Sequence, residues 1–168
     1  MNAPLPQHIA LPAVGEEWGV EYVGTGGSRV SCRPRDGALR VSGRVGDPAA
    51  CSEALRRWLR RRAHAEAQVL IPKLAGAHGL PSPERIRIGM QRSRWGSCSS
   101  KGTVSLNARL LFLPRRLAVS VVVHELCHLE HLNHSRDFYE LLERVDPGHR
   151  EALRALRSGS AYVPEWAM

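Results

Sequence analysis

Lysine is nearly missing from this chain: of 24 lysine and arginine residues, only Lys73 and Lys101 are lysines. With alanine, glycine and arginine plentiful, that bias reads first as codon composition, so the net charge of +8 does not by itself identify an acidic partner. Aromatic residues make up 5% of the sequence and no RNA- or DNA-binding motif is recognisable. Cys32, Cys51, Cys98 and Cys127 contain no CxxC pair, which argues against a cysteine zinc knuckle and a disulfide scaffold. Reduced thiols and a cytoplasmic location are the expectation. No apolar run reaches the roughly 18 residues of a membrane-spanning helix, so no membrane partner is expected. The first fifteen residues have three prolines and lack the basic and apolar regions of a secretory signal; they read as a flexible tail over 1–16.

What remains is a chain of 168 residues, enough to bury roughly 70% of its unfolded surface. One domain over 17–160 is expected, with a C-terminal tail over 161–168. Between 17 and 45, the pieces WGVEYV, SRVSCR and ALRVSG alternate with GTGG and PRDG, the turn chemistry of a small antiparallel meander. Asp47-Pro48 then supplies an N-cap and first-turn proline for a long amphipathic helix toward Gly79, with a bend expected near Pro72. On it, RRWLRRR at 56–62 places five guanidiniums around a tryptophan, either a solvated face or a nucleic-acid-binding one. RIRIGM and TVSLN alternate and should pair as a hairpin. The segment from Pro114 to Asn133 is valine-rich, but its length, the proline at its start and the spacing of its histidines favour a buried helix. SRDFYELLERV, with Ser135 as N-cap, and HREALRALR complete an α+β fold with C-terminal helices.

HELCHLEHLNH, at 124–134, holds four histidines. On a helix, His124 and His128 lie about 40° apart around the axis and about 6 Å apart along it, so both imidazoles can reach one ion. Glu125 between them is placed to act on the ion's water, which is the chemistry of HExxH. A shuffled chain of this composition would contain the motif in about 3% of cases. A catalytic zinc usually takes three protein ligands. Candidates for the third are His131, His134 and the carboxylates Glu140, Glu143 and Glu151. His131 lies about 10 Å along the axis from His124, too far to share an ion with bonds of about 2 Å. His134 reaches it if the helix stops and the chain turns back, with Asn133 in the left-handed conformation and Ser135 opening the next helix. His149, Tyr139 and Tyr162 are candidate oxyanion donors, while Cys127 reads as a core residue.

RWGSC, SLN and VVVHELCHLEHLNHSRDFYELL resemble the YgjP-like family of metal-dependent hydrolases, related to the SprT-like and minigluzincin-type zinc proteases. The resemblance spans approximately 85–156. It implies His124, His128 and His134 as ligands of one Zn2+ per chain, Glu125 as the catalytic residue, and a minigluzincin-like fold. It also implies that Arg94, Trp95, Gly96, Ser97 and Asn107 shape the substrate cleft. The ligand spacing equals that of metzincins, but His131 replaces their turn glycine, so the helix is expected to end later, near Asn133.

The reading that follows is a zinc metallopeptidase acting on a peptide or protein. Imidazole ligands also suit manganese or another divalent ion. One alternative is a nucleotide phosphoanhydride hydrolase, with Arg92, Arg94 and Arg109 as a phosphate clamp. Another is a DNA-associated zinc protein that uses the arginine face of the long helix.

Overall fold

The computed structural model describes residues 4–168. The architecture is α+β. Strands β1 (His8–Leu11), β2 (Glu16–Gly24), β3 (Ser31–Arg35) and β4 (Ala38–Gly43) form a first sheet in the order β1-β2-β4-β3. β3 and β4 make the tight hairpin that PRDG predicts, with Asp36 (φ 51°) and Gly37 (φ 79°) in the left-handed region that a two-residue turn requires. The sheet is not an antiparallel meander, however, because β2 and β4 are parallel. The chain leaves β2, passes to the far edge as β3 and returns between them, an order that turn chemistry alone does not encode.

The expected N-terminal tail also needs correction. Residues 1–3 of it lie outside the described residues, but His8–Leu11 is a strand paired with β2, and Ile9, Leu11 and Ala13 are buried. At the other end, Trp166 and Ala167 are buried in the stretch read as a C-terminal tail, and Trp166 packs edge-on against Phe112. Apolar side chains spaced along short segments drive both into the core despite the flanking prolines.

Helix α1 (Pro48–His78) begins and ends as its sequence dictates. The Asp47 carboxylate accepts from the Ala50 N–H, and Gly79 closes the helix at φ 65°. It continues through Pro72 without interruption. Leu55, Leu59 and Ile71 bury its inner face, where Leu39 and Val41 of β4 are also fully enclosed.

The arginine cluster on α1 is a partly solvated face, with Arg57 and Arg61 exposed, whose guanidiniums also bind groups of the protein itself. Arg62 grips Glu16 and Glu66, while Arg56 and Arg60 share Glu53. Arg56 also donates to the Trp166 carbonyl. Arg57 and Arg61 donate to the carbonyls of Val30 and Cys32, beside and on the outer strand β3. These guanidiniums occupy acceptors at a sheet edge that would otherwise be open to another chain.

The second sheet holds β5 (Arg85–Gly89), β6 (Gly96–Cys98) and β7 (Thr103–Asn107) in the order β5-β7-β6. The RIRIGM and TVSLN segments are neighbours, but parallel ones. The hairpin partner of β7 is β6, from within the polar loop. The central strand therefore has both edges occupied, and β5 and β6 are the two edge strands. A 3₁₀ turn at Ala108–Phe112 leads to α2 (Arg115–Cys127), followed by α3 (Arg136–Val145) and α4 (His149–Leu156). α2 runs through the core, with Val121, Val122, Val123 and Leu126 all buried.

Candidate metal centre

The buried valine run of α2 carries His124 and Glu125 to the end of the helix. The helix ends at Cys127 rather than near Asn133, and Asn133 is not left-handed. The reason lies in the last turn. Leu129 donates to the Leu126 carbonyl, while Glu130 and His131 both donate to that of Cys127, so the orphan acceptors are satisfied by a tightened turn. No left-handed residue is needed. Ser135 then caps α3, its hydroxyl accepting from the Phe138 N–H at 3.3 Å.

This reversal brings His134 back to the helix end. Its Nε2 lies 3.1 Å from Nε2 of His128 and 3.2 Å from Nε2 of His124. A tetrahedral ion with bonds of about 2.0–2.1 Å separates its donors by about 3.3 Å, so three nitrogens converging this closely fit a zinc-sized cation. Unprotonated imidazoles are required, and burial holds His124 down at about 4, with His128, His134 and His149 adding to the effect. Burial likewise lowers His128, against the opposing hydrogen bond to His131. His131 contributes no ring nitrogen to the cluster, nor do Glu140, Glu143 or Glu151. Glu140 pairs with Arg136, and Glu143 lies near His149 and Arg150.

Phe138 is a support that periodicity placed only in the core stripe. Fully buried, it stacks on His128 at 4.4 Å between centroids and meets His124 and His134 edge-on. Its position four residues after His134, one turn into a capped helix, is the sequence signal that marks it.

Glu125 is 7% exposed and faces β6. Burial raises its carboxyl to about 7, against the pull of the Arg94 guanidinium. A Cβ on Gly96 would sit 2.7 Å from Cγ of Glu125, so only glycine lets the edge strand approach this carboxylate. By strand alternation Ser97 lies on the opposite face of β6, and it does not line the cleft.

Trp95, Gly96, His124, Glu125 and His149 do line a common cleft, closed on one side by Val121 and Leu153. His149 is 3% exposed, and its Nδ1 is 3.0 Å from the Asp146 carbonyl oxygen. The Asp146 side chain accepts from Ser120 at 2.5 Å and from Arg116, which fixes the corner before α4 to α2. Ser120, a hydroxyl in an otherwise apolar run, was the available clue to this tie. Tyr139 is exposed and stacks on His134 at 6.0 Å between centroids. Tyr162 is exposed and not part of the cleft lining.

Asn107 is buried and does not line the cleft that holds Glu125. Its amide donates to the carbonyls of Gln91 (2.7 Å) and Arg94 (3.0 Å), and its oxygen accepts from the Arg109 N–H. It holds the loop that delivers Arg94 and Trp95. Arg109, buried beside it, is committed to the Ala167 and Gln91 carbonyls.

Residues 4–159 match the family described as YgjP-like, metallopeptidase domain. The chain belongs to the YgjP-like family. Among solved structures three chains match it, including the crystal structure of the metallopeptidase zymogen of Pyrococcus abyssi abylysin. That likeness has 26% identity and a TM-score of 0.50, and it covers 55% of this chain and 92% of that one. No curated protein matches. YgjP-like membership supports a metallopeptidase-type hydrolase, implies a divalent metal and suggests a peptide or protein substrate. No helix among the described residues is long and apolar enough to cross a membrane.

Proposed function

We propose that the protein is a zinc metallopeptidase in which His124, His128 and His134 hold the ion and Glu125 is the general base. The observation that carries this reading is the meeting of three imidazole Nε2 atoms beside a buried carboxylate one residue along the same helix. Zinc bound there would supply Lewis acidity, acidifying water and polarising the scissile carbonyl. Glu125 takes the proton of the attacking water onto a carboxylate oxygen and returns it to the leaving amine. The apolar surroundings that raise its basicity also limit competing water.

The substrate backbone would lie along β6, adding as a strand to its free edge, since both edges of β7 are already paired. Gly96 keeps that edge close to Glu125, and Trp95 forms the adjoining wall. Of the three oxyanion candidates only His149 lines the cleft with Glu125, and since its Nδ1 donates to the Asp146 carbonyl, Nε2 would donate to an oxyanion only in the imidazolium form.

Two observations weigh against the alternatives. Arg109 is tied to two carbonyls and is not a free arm of a phosphate clamp. The arginines of α1 bind Glu16, Glu53, Glu66 and strand carbonyls, which leaves fewer free guanidinium donors for a DNA-directed reading.

Glu125→Gln tests the proposal. Peptide hydrolysis should fall by about 10²–10⁴-fold while zinc content by elemental analysis stays at one per chain. Undiminished turnover would refute the assignment of Glu125.

A further inference from the structure

Next to the catalytic cleft, across the shared wall of Trp95 and Leu156, lies a second recess of about 240 Å3. Its lining includes Arg92, Arg94 and Arg157 but no aspartate or glutamate, and the one carboxylate among the lining residues is the main-chain end of Met168. This sets them apart from Arg56, Arg62 and Arg116, each of which holds a carboxylate. Among the described residues, Arg92 and Arg157 pair with no carboxylate, and Arg94 acts on Glu125 without forming an ion pair with it. Three arginines against one terminal carboxylate leave the lining net positive, which favours an anion there.

The loop bearing two of these arginines is fixed from beneath. Asn107 and Arg109, 3% and 6% exposed, bind the carbonyls of Gln91 and Arg94 on either side of Arg92. Its donors are therefore presented on a braced support, which reduces the ordering cost of binding. Arg109 is held below the usual arginine range, by burial first and then by the positive charges of Arg92 and Arg56.

We propose that this recess is a substrate subsite for a carboxylate, carried by an acidic side chain or by the chain end of a peptide whose scissile bond lies at Glu125. The proposal rests on the peptidase reading above. It makes the enzyme selective for peptides with negative charge on one side of the cleavage point, through charge-assisted hydrogen bonds from exposed guanidiniums. The preference should therefore weaken as salt is raised.

The test uses the full chain with zinc and a positional peptide library. Each acidic peptide is paired with its amide twin: internal Glu against Gln, and free against amidated C-terminus. These two arms separate a side-chain carboxylate from a chain end. Wild type should cleave one class about tenfold or more faster in kcat/KM than its twin, mainly through KM. Arg92→Gln and Arg157→Gln should each bring that ratio toward one, and Arg157→Glu should shift preference toward lysine. The ratio is taken within each variant, so a general loss of activity does not mimic the effect. The two arginines lie on separate elements, so failure of one variant to fold leaves the other.

Equal cleavage of twins by wild type, or a ratio unchanged in both glutamine variants, overturns the subsite. If wild type cleaves no peptide, the peptidase reading fails, and the subsite is judged by binding of fluorescent twins to Glu125→Gln. Acid-selective binding lost with Arg92→Gln sustains it, and equal binding of the twins overturns it. Arg92-dependent binding of inorganic triphosphate without any carboxylate selectivity also overturns it, assigning the recess to phosphate.

Discussion

The His128 ring donates through Nδ1 to the main-chain carbonyl of His131, 2.9 Å away. A carbonyl only accepts, so Nδ1 carries the hydrogen and the Nε2 lone pair is left for the cluster with His124 and His134. His131 thus supports the centre through its backbone, while its imidazole takes no part in the cluster.

Removing the two imidazoles should therefore have opposite consequences. His131→Ala keeps the carbonyl and should retain zinc affinity within a few-fold. His134→Ala should lose more than the roughly 10–100-fold that a supporting residue costs. Competition with a zinc chelator measures both, and equal losses would contradict the assignment.

Gly96→Ala is expected to disable catalysis without emptying the metal centre. The new methyl group meets Glu125 at 2.7–2.8 Å from Cγ and Oε1, and either the carboxylate or β6 must move. Displacement on the scale of 1 Å costs about 10²-fold in rate. Steady-state kinetics alongside zinc analysis checks this; wild-type turnover would show that the close approach is not needed.

Asp146→Ala should destabilise the fold by about 3 kcal/mol, because it strips the partner from Ser120, which is buried, and from Arg116. Urea unfolding reads the change. A loss below about 0.5 kcal/mol would mean that the tie between α2 and the corner before α4 matters little.

A pH-dependent contribution is expected from Glu16, which ties β2 to α1. Hydrogen bonding from Arg62 lowers its carboxyl below the ordinary value, with burial opposing and Trp18 assisting. A depressed carboxylate stabilises the fold above its unfolded-state value, and that stabilisation is lost as pH falls through the folded-state value. Glu16→Gln should thus cost about 1–2 kcal/mol near neutral pH, the gap closing below the ordinary glutamate value of 4.5. Thermal melts of both proteins across pH 3–7 test the sign; a gap that widens in acid would reverse it.

Much of the candidate site was legible because it depends on local spacing. Residues four apart on a helix share a face whatever surrounds them, so His124 and His128 could be paired from sequence, and Ser135 could be assigned as the cap that turns the chain toward His134. Asp47 and Gly79 bounded α1 for the same reason. The ending of α2 was misjudged because glycine or asparagine in the left-handed region is only one way to satisfy the last carbonyls. Here a tightened turn does so, and the His128 ring binds the His131 carbonyl.

The sequence by itself determined α1 with its caps, the Ser135 cap of α3 and the shared face of His124 and His128, all of which depend on neighbours within about four residues. Tertiary structure alone decided that β2 pairs in parallel with β4, and that β6 rather than TVSLN forms the edge by Glu125. It also decided which arginines are occupied. Arg62 and Glu16 are far apart in the chain, while Arg92, Arg94 and Arg157 meet around a recess without acidic side chains. Hydrogen-bond and charge partners across such separations are chosen by the packing of whole elements, which periodicity along one segment does not encode.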